Sequence, residues 1–242
     1  MNKKRIVILS GAGLDKESGI ETFRDSKDSL WNNHKIEDVA SPAGFARNPQ
    51  LVLDFYNERR RKLAEVQPNQ AHYDLVHLED YYDVFHITQN VSDLLERAGS
   101  SNILHLHGEL TKARSIMYSH KTSPFDESIE IGYNDINFGD TNEHGVQLRP
   151  DIVWFGEPVT KIPEAERFAR SADIFMVIGT SMVVYPAGAL VLYVPKTSPI
   201  YFIDPVMPSQ MIYEDRVTFI QEPATTGVAK AVGELIKKAI EN

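Results

Sequence analysis

Cysteine is absent from the 242 residues of this chain. Its absence excludes disulfide bonds, zinc sites built from thiolates and cysteine nucleophiles, so any catalysis must use other groups. Long apolar runs are missing as well: the apolar run at residues 6–9 is too short for a signal peptide and leads directly into glycines. We therefore expect a soluble, cytoplasmic protein that does not act at a membrane.

An excess of basic residues is also missing: the chain has 25 lysines and arginines but 34 acidic residues, and its formal net charge is −9. Sequence-independent binding to nucleic acid or to an anionic membrane requires a basic surface, so both partners are disfavoured. The hydrophobic fraction of 42% and the charged fraction of 24% are typical of a globular protein. The length fits one domain, or a large domain that carries a small inserted one.

The sequence does contain an alternation of short β-branched runs with helical patterns, which predicts an α/β fold with a parallel sheet covered by helices. The predicted strands lie near residues 5–9, 84–88, 152–154, 174–178 and 200–203. Near the C-terminus, Val228, Val232 and Leu235 recur at helical spacing after Thr226, which we expect to cap that helix.

Polar or glycine-rich segments follow several of these strands. They are Gly11-Ala12-Gly13, Gln89-Asn90, Gly179-Thr180-Ser181 and Asp204. The carboxyl ends of parallel strands meet in one crevice, where ligands bind, so the coincidence of these segments favours a nucleotide site. Taken one at a time, each segment is also explained as an ordinary strand-to-helix turn.

The first glycine segment differs from the dinucleotide fingerprint of conventional dehydrogenases. One glycine of that fingerprint is replaced by Lys16, and the next glycine comes only at Gly19. Glu37 lies at a suitable distance along the chain for a ribose contact, but residues 30–36 lack the pattern of a strand end. The sequence thus disfavours a Rossmann dehydrogenase that transfers hydride.

Further motifs join these segments along the chain. In order, they are Gly11-Ala12-Gly13, Glu17-Ser18-Gly19-Ile20, Thr22-Phe23-Arg24-Asp25, Thr88-Gln89-Asn90, His105-Leu106-His107-Gly108-Glu109, Val153-Trp154-Phe155-Gly156-Glu157 and Gly179-Thr180-Ser181. Each motif is weakly specific, but together and in this order they resemble the motifs of the sirtuin family. The resemblance runs from about Arg5 to the C-terminus, and it implies an NAD-dependent protein-lysine deacylase.

The resemblance implies a Rossmann-like parallel sheet with helices on both faces and a small inserted domain. The NAD domain would comprise about residues 1–30, 75–110 and 150–242, and the small domain about residues 31–74 and 111–149. NAD and a protein carrying an acyl-lysine would bind in the cleft between them. The acyl group would pass to ADP-ribose with release of nicotinamide.

The resemblance also implies roles for individual residues toward NAD. The loop from Gly11 to Trp31 would wrap the dinucleotide, with Phe23 and Arg24 near its reactive end. The implied cofactor-binding residues are Gly11, Ala12, Gly13, Glu17, Thr22, Phe23, Arg24, Trp31, Gln89, Asn90, Gly179, Thr180, Ser181, Asp204 and Ala224.

His107 and Asn90 are the implied catalytic residues, with His107 as the general base. A neutral imidazole titrates near working pH, so it can take a proton from a ribose hydroxyl. Without the surrounding motifs, His105 and His107 would be ordinary residues on one face of a strand, and we expect His105 to be structural. The segment Val153, Trp154, Phe155 and Gly156 would pair with the substrate backbone as an added strand.

Residues 52–63 are predicted to form an amphipathic helix in which Tyr56 and Arg59 point the same way. A guanidinium and a phenol together can hold a carboxylate, and the pair resembles the Tyr-x-x-Arg of desuccinylating sirtuins. We therefore expect succinyl-, malonyl- or glutaryl-lysine as substrate. The alternative is a solvated basic face, because Arg60, Arg61 and Lys62 follow.

The sequence departs from the family in a segment that usually holds zinc through cysteines. Here residues 113–148 have none, and Ser115, Gly139 and Asn142 stand about where cysteines are expected. His120 and His144 are too few and too far apart for a four-ligand site, so we expect no zinc. Apolar alternation predicts a small hairpin instead, formed by Ile129, Ile131, Tyr133, Ile136 and Phe138.

Two further departures lie near the chemistry: Asp15 replaces the serine usual in the family, and Ser92 replaces the aspartate expected after Gln89-Asn90. A carboxylate in the glycine loop would repel a pyrophosphate if it pointed inward. Residues 27–29 also form a stretch one residue longer than the common pattern. Two alternatives therefore stay open: an NAD glycohydrolase or ADP-ribosyltransferase that uses the same cleft, and a non-catalytic NAD or ADP-ribose sensor.

Overall fold

A computed structural model describes residues 3–21, 34–115, 128–182, 185–207 and 214–241. The strands within these ranges are β1 Arg5–Ser10, β2 Asp83–Thr88, β3 Ile103–His105, β4 Gly108–Ser115, β5 Ile129–Glu130, β6 Leu148–Ile152, β7 Ile174–Ile178, β8 Ile200–Ile203 and β9 Val217–Ile220. The α-helices there are α1 Ala12–Asp15, α2 Ile36–Val39, α3 Pro42–Arg47, α4 Pro49–Glu65, α5 Gln70–His77, α6 Leu94–Ala98, α7 Ile162–Arg170 and α8 Ala224–Glu241.

The larger sheet has the strand order β3-β2-β1-β7-β8-β9, and every neighbouring pair is parallel. All six strands therefore end at the same edge. The chain runs from β1 outward to β2 and β3, and then returns to β7 on the other side of β1. This reversal opens a crevice at the carboxyl ends of β1 and β7, where α/β proteins bind their ligands.

Helices cover both faces of this sheet, because the side chains of its central strand alternate between two cores. Ile6 and Ile8 pack with residues of α5 and α8, whereas Val7 and Leu9 pack with residues of α7 on the opposite face. All four side chains are fully buried. A strand with both faces buried is expected to be a continuous apolar run, as this one is. The predicted Rossmann-like fold class is confirmed.

A second, three-stranded sheet has the order β5-β4-β6 and is antiparallel. It packs with α2, α3 and α4 around a separate core that contains Val52, Phe55, Leu110, Ile152 and Trp154. The helix predicted over residues 52–63 is present and extends over Pro49–Glu65. It begins where the Asn48 side chain accepts a hydrogen bond from the Leu51 amide, with Pro49 at the first helical position.

Several sequence-based predictions of secondary structure were wrong. Residues 152–154 are not a strand of the parallel sheet, because β6 ends at Ile152 and pairs with β4 in the small sheet. The short strands β3 and β9 were not predicted. The C-terminal helix begins at Ala224, so Thr226 lies in its first turn and donates to the Pro223 carbonyl instead of capping the helix.

The predicted hairpin between residues 129 and 138 is also absent. Strand β5 covers only two residues and pairs with β4, and residues 135–138 have no strand structure. Ile136 is instead buried against α4, where its amide and carbonyl both bond to the side chain of Asn57 at 2.9 Å. One side-chain amide thus replaces a strand partner and anchors this segment, because it satisfies both backbone groups.

Side-chain hydrogen bonds also close the loop between β5 and β6, where sirtuins usually hold zinc. The side-chain Oδ1 of Asn142 accepts the amides of His144 and Val146, and the side chain of Gln147 accepts the amide of Gly139. Ser115 pairs with Leu148 at the end of β4. Ser115, Gly139 and Asn142 offer neither thiolate nor imidazole, so these positions do not fit a zinc site. His120 lies outside the described residues.

Within the described ranges, no helix combines the length and the apolar character that crossing a membrane requires.

Candidate functional site

The glycine segment after β1 touches the segment after β7. The Gly13 amide donates to the Gly179 carbonyl at 2.9 Å, and the Gly11 amide donates to the Ile178 carbonyl at 3.0 Å. A Cβ atom on Gly13 would lie 2.5 Å from the Gly179 Cα, and Gly179 itself has φ +59°. Glycine is therefore required at both positions, because any side chain would force the two backbones apart.

The segment after β2 is bonded to both glycine segments. The Asn90 side-chain amide donates to the Gly11 carbonyl at 3.0 Å, and the Gln89 side-chain amide donates to the Thr180 hydroxyl at 3.0 Å. The Thr88 hydroxyl in turn accepts the Asn90 amide. Three strand ends thus form one bonded unit, as expected from polar residues at the carboxyl ends of adjacent parallel strands.

The start of α8 joins this unit through Glu17. Its carboxylate accepts hydrogen bonds from the amide and the hydroxyl of Thr225, at 2.8 and 2.6 Å. The Asp204 carboxylate, after β8, accepts the Val206 amide. Both acidic side chains therefore hold backbone segments in place. Both also line the cavity that these segments enclose.

These segments line one large cavity of about 1360 Å³. That volume exceeds the range of about 300–1,000 Å³ typical of pockets for drug-sized ligands, and it suits a dinucleotide together with part of a second substrate. The predicted site residues that line the cavity are Gly11, Ala12, Gly13, Glu17, Tyr56, Arg59, Gln89, Asn90, His107, Val153, Trp154, Phe155, Gly156, Gly179, Thr180, Ser181, Asp204 and Ala224. Thr22, Phe23, Arg24 and Trp31 lie outside the described residues.

His107 lies between β3 and β4, on the wall of the cavity. Its Nδ1 is 3.1 Å from the Gln89 carbonyl, which can only accept a hydrogen bond, so Nδ1 carries the proton and Nε2 carries the lone pair. Burial lowers the pKa of His107 below the usual value, against a smaller opposing effect of the Gln89 hydrogen bond. The imidazole is therefore neutral near pH 7 and can accept a proton.

The backbone fixes His107 from both sides. Its carbonyl accepts the Val153 amide at 2.9 Å, and the next residue, Gly108, has φ +82°. A Cβ atom on Gly108 would lie 1.9 Å from the Asp151 carbonyl oxygen. Glycine is thus required at position 108 by the close approach of β4 to β6, independently of any chemistry.

His105 is held differently from His107. Both of its ring nitrogens face acceptors: Nδ1 is 2.9 Å from the Asn90 carbonyl and Nε2 is 2.7 Å from a Glu96 carboxylate oxygen. Burial opposes protonation, but the pKa of His105 is nevertheless raised, mainly by Glu96. Ligand atoms of Glu96, His105 and Glu109 lie within 4.8 Å of one another. Because Lys112 pairs with Glu109, the group is better described as an ion-pair network than as a metal site.

Tyr56 and Arg59 meet the cavity from α4. The Tyr56 hydroxyl accepts a hydrogen bond from the Trp154 ring nitrogen at 3.1 Å, and burial raises its pKa to about 12. The Arg59 guanidinium lies 3.3 Å from the centre of the Phe55 ring and donates to the Phe55 carbonyl. Burial lowers the pKa of Arg59 to about 10, so the group keeps its charge near pH 7.

Arg60 is not part of a solvated basic face, in contrast to the alternative that the sequence left open. Its side chain is fully buried and bonds to the Leu110 carbonyl at 2.6 Å and to Asn57 at 2.7 Å. Arg61 and Lys62 are exposed. The helix therefore presents its consecutive basic residues to different surroundings, because successive residues point about 100° apart.

The fold and the cavity define a nucleotide-binding protein with a Rossmann-like sheet. The model of the Sir2 family matches residues 11–186, and the chain belongs to this family. It is 48% identical over 236 residues to an NAD-dependent protein deacylase of Helicobacter pylori, covering 98% of this chain and 99% of that protein. It is 50% identical over 202 residues to an NAD-dependent protein deacylase of Bacteroides thetaiotaomicron, covering 84% and 86%.

Solved structures agree with this assignment. The chain superposes on a Sir2 homolog–NAD complex with a TM-score of 0.84 and 35% identity, covering 98% of this chain and 91% of that one. It superposes on a mutant Sir2 homologue in complex with ADP ribose with a TM-score of 0.85 and 35% identity, covering 99% and 94%.

Proposed function

We propose that this chain is an NAD-dependent protein-lysine deacylase that prefers acyl groups ending in a carboxylate. The observation that carries the proposal is the convergence of three kinds of group on one cavity. These are the glycine segments at the strand ends, a neutral histidine, and the Tyr56–Arg59 pair. The Sir2 family membership and the names of the relatives support the same activity.

The cavity fits NAD. Gly11, Gly13 and Gly179 line its wall at the carboxyl ends of β1 and β7, which is where glycine-rich turns of such sheets receive a pyrophosphate. Gln89 and Asn90, fixed by their bonds to the glycine segments, would face the nicotinamide ribose. Bound NAD supplies ADP-ribose as the acceptor of the acyl group and nicotinamide as the leaving group.

His107 would act as the general base. The Gln89 carbonyl orients the ring and fixes the proton on Nδ1, so that Nε2 can take a proton from a ribose hydroxyl. The lowered pKa keeps the base neutral over the physiological range. In the reaction that the family membership implies, the acyl oxygen would first displace nicotinamide from the ribose, and the deprotonated hydroxyl would then bond to the acyl carbon. The lysine amine would leave with the proton, and one water would add to complete acyl-ADP-ribose.

The segment from Val153 to Gly156 would receive the substrate backbone. The amides of Val153 and Phe155 already donate to the carbonyls of His107 and Ala40, and the Trp154 amide donates to Glu157. An incoming peptide strand would therefore pair mainly through carbonyl groups of this segment and through the Gly156 amide. The expected contact with the substrate backbone is therefore limited to a few hydrogen bonds, and these are the same for every acyl group. Selectivity among acyl groups must come from the pocket that holds the acyl group.

Selectivity for an acidic acyl group would come from Tyr56 and Arg59. Because the Tyr56 oxygen accepts from Trp154, its own proton can be donated to a carboxylate, and the raised pKa keeps that proton in place. The Arg59 guanidinium keeps its charge and adds planar donors. Succinyl-, malonyl- and glutaryl-lysine share the terminal carboxylate that this pair would bind.

Mass spectrometry of NAD incubated with the protein and with matched acetyl- and succinyl-lysine peptides tests the proposal. We expect nicotinamide, deacylated peptide and acyl-ADP-ribose in equal amounts, with the succinyl peptide turned over faster. His107→Ala should bind NAD with unchanged affinity and form no acyl-ADP-ribose. Nicotinamide release without deacylation would establish an NAD glycohydrolase instead. NAD binding with no turnover of either peptide would establish a sensor.

A further inference from the structure

Asp15 and Ser92, the two residues that depart from the sirtuin pattern near the chemistry, contact each other. The Ser92 hydroxyl donates to the Asp15 Oδ2 at 2.6 Å. The side chains come from different segments, since Asp15 ends α1 in the glycine loop and Ser92 lies two residues after Asn90. Both are buried, at 3% and 7% exposure, and both line the cavity. The two residues that differ from the family pattern therefore form a single contact.

A third residue, His72, also contacts the pair. His72 Nδ1 accepts the Asn69 amide at 3.2 Å, so the ring proton is on Nε2 and is donated to the Asp15 Oδ1 at 3.1 Å. Each carboxylate oxygen of Asp15 thus accepts one hydrogen bond from a neutral donor. Both oxygens of the buried Asp15 side chain therefore have hydrogen-bond partners within the protein, which offsets the cost of burying this polar group.

The same contacts occupy both oxygens of Asp15, the side chain whose position in the glycine loop raised the question of repulsion from a pyrophosphate. Ser92 and His72 engage these two oxygens, and Asn69, at the start of α5, also holds the glycine loop through the Leu14 carbonyl and the Ser18 hydroxyl. The pair therefore joins the glycine loop to the segment that carries Asn90, and α5 supports it from behind. These are the two segments that would surround the nicotinamide end of NAD.

We propose that Asp15 and Ser92 form a single acid–hydroxyl pair whose members have exchanged places relative to the sirtuin pattern, and that this pair positions the Asn90 segment against the glycine loop for NAD. Asp15 and Ser92 are positioning residues, since they act through the two segments that they join. The inference rests on the proposed use of NAD. It predicts that NAD affinity depends on a contact between one carboxyl group and one hydroxyl at these two positions.

The test is an exchange of the two side chains, with Asp15→Ser and Ser92→Asp made singly and together. Asp15→Ser leaves two hydroxyls with no charge, and Ser92→Asp places two carboxylates in contact. Each single variant should weaken NAD affinity by about tenfold or more, as expected for the loss of a charge-assisted hydrogen bond. The double variant restores one acid and one hydroxyl, but the His72 Nε2 then faces a hydroxyl instead of the acid. Its NAD affinity should therefore exceed that of both single variants without reaching the original value.

Affinity should be measured by calorimetry without peptide, together with kcat and KM for NAD and the melting temperature of each variant. Val232→Ala is the matched control, because it truncates a buried side chain of α8 that does not line the cavity. It should lower the melting temperature while NAD affinity is unchanged. A change confined to melting temperature in the exchange variants would overturn the positioning role.

The remaining outcomes separate the inference from the proposed function. A double variant whose loss equals the product of the two single losses would overturn the inference, because independent sites add in free energy. Single variants with unchanged NAD affinity and unchanged kcat would overturn it as well. If the unmodified protein itself fails to bind NAD, the proposed function fails first.

Discussion

Replacement of Arg59 by methionine separates recognition of an acidic acyl group from the deacylation chemistry. Methionine keeps most of the length and apolar surface of the side chain, so the packing against Phe55 is largely retained. The change removes the guanidinium that lies at the cavity wall beside Tyr56. An acetyl group offers no carboxylate to this position, whereas a succinyl group does.

The expected magnitude follows from the contacts of Arg59. Its Nη1 already donates to the Phe55 carbonyl, and the ring of Phe55 lies against the guanidinium, so little further ordering is needed when a carboxylate binds. A hydrogen bond to a charged group contributes about 1.5–3 kcal/mol. At about 1.4 kcal/mol for each factor of ten, kcat/KM for the succinyl peptide should fall by roughly 10- to 150-fold. For the acetyl peptide, we expect a change of less than about threefold.

The assay is kcat/KM on succinyl- and acetyl-lysine peptides of the same sequence, at saturating NAD. Lys62→Met is the control, because Lys62 also lines the cavity and carries the same charge but is exposed on α4. It should leave the ratio of the two activities unchanged. Equal losses on both peptides in Arg59→Met, or an equal shift of the ratio in Lys62→Met, would refute the assignment of Arg59 to the acyl carboxylate.

Three further predictions follow from the described contacts. Burial lowers the pKa of His107 below 6.5, and the base must be neutral, so kcat/KM should rise with pH through a midpoint below 6.5. A pH profile with its midpoint above 6.5 would contradict this role. Gly13→Ala should destabilise the fold by about 1–3 kcal/mol in urea titration, whereas Gly233→Ala, where a Cβ meets open space on α8, should stabilise it by about 0.5–1 kcal/mol. Asn57→Ala should cost about 2–4 kcal/mol in the same titration, because two buried backbone groups lose their partner, and a cost below about 1 kcal/mol would show that water replaces it.

The parallel sheet was predictable because its central strands are buried on both faces. Such strands are continuous apolar runs, and residues 6–9, 174–178 and 200–203 have this pattern, whereas residues 84–88 are mostly apolar but include His86 and Thr88. The edge strands β3 and β9 are only three and four residues long, and the residues of β9 are not fully buried, so their sequences carry little of that signal. Residues 152–154 were misplaced because an apolar run does not specify which sheet it joins.

The candidate site was predictable where motifs lie at strand ends, and not where a contact joins distant segments. Nothing in the local sequence shows that Asp15 and Ser92 touch, since 77 positions separate them. The burial of Arg60 was hidden for the same reason: its partner carbonyl belongs to Leu110, in another element. A hairpin was predicted around Ile136 because the alternation of apolar residues is local, whereas the Asn57 side chain that holds it is not.

The hydrogen bond between the Val153 amide and the His107 carbonyl has a mechanical consequence. The proposed base and the proposed docking segment for the peptide share one backbone link, so a small displacement of one carries the other with it. The distance from the imidazole to a bound acyl-lysine would then be set by this local link and not by contacts between the small sheet and the large one.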